Sequence, residues 1–436
     1  MLEQVTQSTN LIQDWAGLSA DERVAAFHGL PSAEADDFFL NLSSRDQAGL
    51  VLSLAKGERR LWLRLLPPDD AADLIQFAPE SERFNLLSQL DEMTRREVSA
   101  LLAYKEDAAG GLMNPRFARL RPEMAVDEAI SYLRRQAGSV ETIYYAYALD
   151  DAQRLLGLVS FRDLFSADRS KTVRDIMRTN FVSVSDHADQ EAVARLFRNS
   201  RLLAIPVLNA EGKMQGIVTV DDIVGVVEEE ASEDIQKIGG MEALDMPYLQ
   251  SGFWSMVQKR AGWLAVLFIG EMLTATAMSH FEAEIARAVV LALFVPLIIS
   301  SGGNSGSQAT TLVIRAMAVG EVGLRDWWKI VSREASTGLV LGAILGAIGL
   351  SRILVWQGVW RTYGPHFMVV GLTVACSLIG VVMFGTIAGS MLPFVLRRLG
   401  LDPASASAPF VATLVDVTGL VIYFNIAALI MRGTLL

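Results

Sequence analysis

The last part of the chain contains five apolar stretches, and each is long enough to cross a membrane as a helix. A helical span needs about 20 mostly apolar residues. The stretches cover approximately residues 261–281, 288–314, 334–355, 366–396 and 408–431. In lipid the backbone must satisfy its own hydrogen bonds, so stretches of this kind fold as helices. We therefore predict a five-helix membrane domain over residues 259–436.

Charge divides the chain into two parts. Residues 1–260 carry 28 Lys and Arg against 41 Asp and Glu, whereas residues 261–436 carry ten against eight. Most Lys and Arg residues beside the spans lie on the side of the acidic part, which places that part in the cytoplasm by the positive-inside rule. An acidic surface of this kind favours cations and disfavours nucleic acid as a partner. The N-terminus lacks the basic and apolar regions of a signal peptide, and the single cysteine, Cys376, excludes a disulfide framework.

The fifth stretch contains a lone acid. Asp416 is the only charged residue between positions 403 and 431. A charge at membrane depth is costly and is retained mainly where it lines a water-filled path or meets a cation. The pattern favours an ion path, and the alternative is a packed helix with a satisfied buried acid. Glu271, in the middle of the first stretch, is a second candidate by the same rule, although in its protonated form it could instead donate a hydrogen bond to a neighbouring helix.

The second stretch contains the polar, glycine-rich sequence SSGGNSGSQ. Irregular backbone at membrane depth is tolerated where it lines a cavity. We therefore predict a non-helical segment at Gly302, Gly303 and Asn304 that lines the ion path, and the alternative is close packing of small residues between helices. Glycines at three- and four-residue spacing in the third stretch predict such packing there: Gly338, Gly342, Gly346 and Gly349.

The acidic part contains two kinds of soluble domain. Residues 18–104 show short amphipathic helices with loosely similar sequences, which predict a small helical superhelix. Residues 106–230 contain a duplication, in which LMNPRFARLRPEMAVDEAISYLR aligns with IMRTNFVSVSDHADQEAVARLFR and LLGLVSFRDLF aligns with MQGIVTVDDIV. Each copy predicts a helix, a short strand, an amphipathic helix, two strands and a helix. This pattern resembles a tandem pair of α/β CBS domains.

A run of acids follows the second copy. Glu230, Glu233 and Asp234 share one helical face, where unpaired like charges are destabilising unless cations arrive. Hard divalent cations favour carboxylate oxygens. A solvated charged face is the alternative, but the run joins a regulatory module directly to a membrane domain.

The order of these segments, together with the motifs GGNSGSQ and LVDVTG, resembles the MgtE family of bacterial magnesium channels across essentially the whole chain. The resemblance implies a homodimer in the lipid of the bacterial inner membrane, with the pore between two five-helix domains. It also implies a multidomain chain: a helical superhelical N-domain (1–105), two CBS domains (106–169 and 170–231), a connecting helix (232–258) and the pore domain (259–436).

The resemblance assigns roles to particular residues. It places the ion-selectivity site at the Asp416 side chain and the Ala412 carbonyl, and an acid linked to closure, Asp402, at the cytoplasmic mouth. Cytoplasmic magnesium sensing would fall on Asp222, Glu230, Glu233 and Asp234, with Asp91, Glu58 and Glu92 as candidates in the N-domain. ATP binding would fall on Tyr145, Arg162 and Asp163, and the hydroxyls of Ser160 and Thr219 suit the phosphate or ribose of a nucleotide.

Three positions depart from the family pattern. Gly225 and Arg201 stand where the family commonly has acids, so one sensor site loses carboxylates. Leu202 stands where the family can present an aromatic side chain, which weakens ATP binding.

The sequence thus predicts a magnesium channel that cytoplasmic magnesium closes. A CBS-regulated secondary transporter for another divalent cation or a different ligand is the alternative. We expect no enzyme, because the spans contain no paired cluster of His, Cys and acidic residues. The sequence leaves open the choice between a channel and an ion-coupled carrier, and that between Mg²⁺, Mn²⁺, Co²⁺ and Ni²⁺.

Overall fold

The computed structural model describes residues 11, 14–244, 246, 248–249 and 251–435 of the 436-residue chain. The chain divides into two compact units, Met1–Glu230 and Ala231–Leu436.

The first unit begins with a series of short helices, as the sequence predicts. Polar and proline residues set their starts: Ser19 forms a capping box with Glu22, and the carboxylate of Asp91 accepts hydrogen bonds from the backbone of Met93 and Thr94. Their apolar faces share one core, in which the rings of Phe27 and Trp62 lie 4.7 Å apart. After a 3₁₀ turn at Trp15–Gly17, the helices are α1 (Ala20–His28), α2 (Ser32–Leu40), α3 (Ser44–Ser53), α4 (Lys56–Leu63), α5 (Pro68–Phe77), α6 (Glu80–Gln89) and α7 (Glu92–Leu101).

The duplicated segment forms two copies of one α/β module. In each copy a short strand pairs in parallel with a second strand, which pairs antiparallel with a third. Equivalent residues face each other, Tyr145 opposite Ser160 and Ala204 opposite Thr219. The first copy comprises α8 (Ala109–Leu112), β1 (Arg119–Leu120), α9 (Val126–Gln136), β2 (Tyr145–Leu149), β3 (Leu155–Ser160) and α10 (Phe161–Ser166). The second comprises α11 (Val173–Ile176), β4 (Val184–Ser185), α12 (Gln190–Ser200), β5 (Ala204–Leu208), β6 (Met214–Thr219) and α13 (Val220–Ile238).

The segment expected to form one connecting helix, residues 232–258, is divided between two helices. The end of α13 occupies its first part and the start of a long membrane helix occupies its last, with turns and irregular backbone in the described residues between them. Gly240 has a positive φ of 75°, which suits the reversal of the chain after α13.

In the part of the second unit that the structure describes, five helices are long and apolar enough to cross a membrane, which confirms the predicted number of spans. Helix α16 follows a 3₁₀ turn at Val289–Phe294, α17 follows one at Leu324–Asp326, and α19 follows one at Pro403–Ser405. The helices are α14 (Phe253–His280), the short connection α15 (Glu282–Arg287), α16 (Val295–Ala318), α17 (Trp327–Trp360), α18 (Phe367–Arg398) and α19 (Ala408–Met431).

The prediction of a non-helical segment at Gly302, Gly303 and Asn304 is wrong, because α16 runs through it without a break. The glycines serve close packing instead. A Cβ at Gly302 would lie 2.5 Å from Cγ1 of Val381, and a Cβ at Gly385 would collide with the Gly302 carbonyl oxygen. Small residues let helix backbones approach in this way.

Close packing also accounts for the glycines of the third stretch, as the sequence predicts. Gly342 lies so near α18 that a Cβ would be 2.6 Å from Cα of Ile379, and Gly346 lies similarly against Ala375. Helix α18 therefore contacts α17 at Gly342 and Gly346 of α17, and it contacts α16 at its own Gly385. It forms the centre of the membrane bundle.

We expect the change Gly385→Ala to destabilise the membrane unit by about 1–3 kcal/mol, the usual effect of overpacking. Gly358→Ala is the matched control, because a Cβ there meets nothing within 4 Å. The measurement is the midpoint of thermal aggregation of the purified protein in detergent. Equal midpoints for the two variants would contradict the packing role of Gly385.

Candidate ion path and cytoplasmic cation sites

Asp416 lies in the middle of α19 and is half-buried within the single chain. Helix α14 approaches α19 closely just before it, since a Cβ at Gly270 would lie 2.8 Å from Cγ2 of Thr413. This approach brings Glu271 to Asp416, and the two carboxyl groups share a hydrogen bond. The two intramembrane acids of the sequence therefore form one pair.

The polar face of α16 lies beside the same helix. A Cβ at Gly303 would be 3.4 Å from Cα of Ala412, and Ser307 donates a hydrogen bond of 3.0 Å to the Ala408 carbonyl oxygen. Asn304 is exposed in the single chain. Of the three residues predicted to line the path, Asn304 thus presents a free face, whereas Gly302 and Gly303 are buried against other helices.

The segment between α18 and α19 carries Asp402, the acid predicted to lie at a cytoplasmic mouth. Asp402 accepts a hydrogen bond of 2.8 Å from the backbone of Ala404 and one of 2.7 Å from Lys237 at the end of α13. Lys237 also forms an ion pair with Glu233, one turn earlier. Burial alone would lower the pKa of Lys237, but its bonds to Asp402 and Glu233 outweigh this effect and raise it. Two predicted magnesium ligands are therefore joined by a lysine.

A dense group of carboxyl groups occurs inside the first unit, and we call it the acidic cluster. Asn114, which is 1% exposed, holds two of its members by donating hydrogen bonds of 3.0 Å to Asp69 and 2.7 Å to Glu141. The other members lie close enough to these two, or to one another, for their negative charges to repel. The cluster comprises Asp69, Asp70, Asp73, Glu106, Glu141, Asp221, Asp222 and Glu229.

Burial and like charge raise the pKa of six members of the cluster: Asp69, Asp70, Asp73, Glu106, Glu141 and Asp222. Burial is the larger cause for Asp73, whose pKa rises to about 8, and Asp70 and Glu106 add to it. Burial and then Asp222 raise the pKa of Glu141 to about 7, and burial raises that of Asp222 to about 6 although Thr219 donates to its carboxylate. The folded unit therefore holds protons, or cations in their place, at neutral pH.

The remaining predicted sensor residues each have different local partners or surroundings. Glu230 accepts a hydrogen bond of 2.7 Å from Gln190, and Asp234 is half-buried further along α13. Asp91 caps α7 and is exposed, Glu92 pairs with Arg96, and Glu58 lies 3.2 Å from His28. Within the described part of the chain, no three His, Cys, Asp or Glu side chains are arranged to hold a bare metal ion.

The predicted nucleotide residues gather in the first copy of the module. Tyr145 lies opposite Ser160, whose hydroxyl accepts a hydrogen bond from the backbone of Asp163. Asp163 also pairs with Arg178 at 2.9 Å, and Arg162 is exposed.

The hydroxyl of the second copy has different surroundings. Thr219 donates a hydrogen bond of 2.6 Å to Asp222 and lines a cavity of about 340 Å³ together with Glu141 and Asp221. Acidic walls of this kind disfavour phosphate and favour cations.

Sequence reasoning missed the N-domain members of the acidic cluster. Asp69, Asp70 and Asp73 lie in the first two turns of α5, in the sequence PPDDAADL, where acids are ordinary helix-start residues. The sequence carries no signal that separates Asp69 from an ordinary helix-start acid, although the folded chain leaves it only 7% exposed.

Comparisons with known proteins agree with this architecture. The MgtE intracellular N domain matches residues 7–107, the CBS domain matches residues 109–170 and 173–229, and the divalent cation transporter domain MgtE matches residues 295–426. Magnesium transporter MgtE of Thermus thermophilus is 40% identical over 436 residues, which cover 99% of this chain and 95% of the relative. That of Bacillus subtilis is 31% identical over 90% of this chain and 84% of the relative.

Solved structures also match the soluble part. The cytosolic domain of the Mg²⁺ channel MgtE in complex with ATP is 39% identical, with a TM-score of 0.48 over 50% of this chain and 90% of that one. The soluble part of a magnesium transporter is 29% identical, with a TM-score of 0.39 over 52% and 99%. Matches to inosine-5'-monophosphate dehydrogenase are matches to the CBS domains and carry no enzymatic assignment.

The described features define a multi-pass membrane protein with a helical domain and a CBS regulatory module in its soluble part. The chain belongs to the MgtE family of magnesium transporters, and it is not an enzyme.

The raised pKa values predict how stability depends on pH. The raised pKa values of Asp73, Glu141 and Asp222 lie above their unfolded values, so the folded unit binds more protons. The resulting stability is full below about pH 4 and is lost as the pH rises towards 8. In the absence of divalent cations, we expect amide hydrogen exchange in α5, corrected for its intrinsic pH dependence, to lose protection between pH 6 and pH 8.

The variant Asp73→Asn should flatten this dependence, and Glu228→Gln, an exposed acid of α13, is the control. Protection that stays constant from pH 6 to pH 8 in the native chain would contradict the electrostatic role of the cluster.

Proposed function

We propose that the chain forms a magnesium channel in which Asp416 binds the permeating ion. The observation that carries this proposal is the placement of Asp416: a lone charged residue of α19, half-buried in the middle of an apolar helix and paired with Glu271. Carboxylates that meet at membrane depth repel each other unless a cation or a proton lies between them. A divalent cation is the natural ligand for such a pair.

Magnesium suits the surroundings of Asp416. Mg²⁺ loses its water shell reluctantly and is usually bound with several waters in place. Ala412 lies one turn before Asp416 in α19, and α16 approaches Ala412 at Gly303, the residue before Asn304. Among the residues that the structure describes, no preformed group of three acids would strip the ion. An ion held through its waters binds weakly enough to leave again, as conduction requires.

A homodimer completes the path in this proposal. In the most apolar part of α14, only 6% of the residues are buried in the single chain, whereas the share is 44% in the spans containing α16 and α18. Helix α14 therefore has free surface for lipid or for a second copy of the chain. Two copies related by a two-fold axis would bring two Asp416 carboxylates to one ion. The excess of Lys and Arg beside the spans on the side of the acidic part supports a cytoplasmic acidic part and a location in the bacterial inner membrane.

We also propose that cytoplasmic magnesium closes the channel through the acidic cluster. Eight carboxyl groups gather around α5 and the start of α13, and their repulsion opposes the compact arrangement of the first unit. Hydrated Mg²⁺ between them would neutralise that repulsion and hold α13 against the N-domain. Because α13 is one helix from Val220 to Ile238, fixing the position of its start also restricts the position of its end, which belongs to the membrane unit.

ATP at the first CBS copy is a further part of the proposal. The relative of known structure carries ATP, and Tyr145, Ser160 and Asp163 lie together here. The residue at position 202 is leucine, so stacking of the adenine on an aromatic ring is not available there.

The variant Asp416→Asn should lower magnesium uptake at least about tenfold, the factor for about 1.4 kcal/mol of lost ion attraction. Asp416→Glu keeps the charge and should retain more uptake than Asp416→Asn. The assay is ²⁸Mg²⁺ uptake into proteoliposomes, and Glu282→Gln, an exposed acid of α15, is the control for reconstitution. Uptake by Asp416→Asn at the native level would refute the assignment of Asp416.

The variant Gly225→Asp should lower the cytoplasmic Mg²⁺ concentration for half-closure by about threefold. In α13, position 225 lies three residues after Asp222 and four before Glu229, so the new carboxylate joins their face. A Cβ at Gly225 meets nothing within 4 Å, and the side chain can be accommodated. One more carboxylate strengthens a hard-cation site.

Gly225→Asn is the matched control for this experiment, because it removes the same glycine from the helix without adding charge. The readout is open probability in excised patches across a magnesium series. Equal midpoints for the Asp and Asn variants would exclude position 225 from the sensor.

A further inference from the structure

The end of α13 is joined by Lys237 to the segment between α18 and α19, which we propose as the cytoplasmic mouth. Lys237 Nζ donates a hydrogen bond of 2.7 Å to Oδ2 of Asp402, while the other carboxylate oxygen of Asp402 caps the 3₁₀ turn that leads into α19. Glu233, one turn before Lys237, forms the second ion pair of the same ammonium group. The side chains of Lys237 and Asp402 are 28% and 37% exposed, so the pair is largely shielded from water.

Apolar contacts fix this arrangement on both sides. Ile238 packs against a small cluster that contains Ile314, Ala404 and Ala406. The turn at Gly240 lies against the Trp263 ring and Pro409, and the Trp263 indole donates a hydrogen bond of 3.1 Å to Ser407. The ion pair therefore belongs to a packed contact between the end of α13, the start of α14 and the segment that carries α19.

Lys237 is placed to neutralise the acids at the proposed mouth without a metal ion. Glu233 and Asp402 are both acids that the resemblance assigns to magnesium sensing or closure, and here one ammonium group joins them. An ammonium group has three donors and can bridge two carboxylates at any magnesium concentration, whereas a divalent cation does so only when its concentration is high.

We propose that Lys237 is a built-in cationic latch, which holds the end of α13 on the cytoplasmic mouth and favours the closed channel. The inference rests on the proposed channel function and extends it to regulation. In this chain, the fixed positive charge of Lys237 neutralises the carboxylates of Glu233 and Asp402. Magnesium would neutralise the carboxylates of the acidic cluster in the same way.

The direction of the effect of Lys237→Gln distinguishes a lysine that holds the mouth closed from a lysine that only competes with magnesium for Glu233 and Asp402. If Lys237 holds the mouth closed, its loss must raise the cytoplasmic Mg²⁺ concentration for half-closure. If instead magnesium binds Glu233 and Asp402 directly and the lysine only competes, its loss must lower that concentration.

The experiment measures open probability of the full-length channel in excised patches across a magnesium series. Lys237→Gln should raise the midpoint by about two- to fivefold, the factor for a partly exposed ion pair. Lys237→Arg keeps the charge and should remain near the native midpoint. Lys213→Gln is the matched control, since Lys213 forms an exposed pair with Glu211 in the second CBS copy.

Asp402→Asn provides a second variant if Lys237→Gln does not fold, because asparagine retains the cap on Ala404 and removes the charge. It should raise the midpoint, and the double variant with Lys237→Gln should add little to either single change. Additive shifts, or a midpoint that is unchanged or lower in Lys237→Gln, would overturn the latch. A native channel that carries no magnesium current, or that does not close with magnesium, would instead overturn the proposed function.

Discussion

In both units of the structure, carboxyl groups are buried or partly buried close to one another. The neighbouring Lys and Arg side chains that the structure describes are too few to neutralise them. In the membrane unit, Asp416 and Glu271 share a hydrogen bond between two apolar helices. In the first unit, the acidic cluster has Arg116, Arg45 and Arg83 as its nearby cations, and burial outweighs them. Each region is therefore a place where a proton or a mobile cation contributes to stability.

Lysine and magnesium act at different places in this scheme. At the proposed cytoplasmic mouth, Lys237 forms ion pairs with Glu233 and Asp402. In the acidic cluster, the raised pKa values of Asp73 and Glu141 indicate that fixed cations do not neutralise these carboxyl groups, so protons or mobile cations do so at neutral pH. A response to magnesium is thus expected from the cluster, and the mouth supplies a constant contribution.

Much of the fold could be predicted from the sequence, because its signals are local. The five spans follow from hydropathy and length, and the duplicated segment gives two modules with the same strand order and register. The GGN segment could not be predicted in the same way. Glycines in a membrane helix fit both a broken backbone and a tight crossing, and only the partner surfaces at Val381 and Gly385 decide between them.

The site was predictable to a smaller degree. A lone Asp416 in an apolar stretch is visible in the sequence, whereas its pairing with Glu271 requires the crossing of α14 and α19 at Gly270. Likewise, Asp69 resembles an ordinary helix-start acid until Asn114, which also binds Glu141, is brought to it from the first CBS copy. Long-range contacts, not composition, distinguish these acids from Asp91, which only caps its helix.

The central claim is that the chain is a channel for magnesium whose closure depends on cytoplasmic magnesium. The most direct measurement records current through the purified full-length protein in a planar bilayer, with Mg²⁺ as the sole cation on both sides. The account predicts a magnesium current that falls as Mg²⁺ is raised on the side of the soluble domains and not on the other side. An absence of current while the same preparation transports magnesium in a vesicle assay would contradict the channel. A current insensitive to Mg²⁺ on either side would contradict the gating.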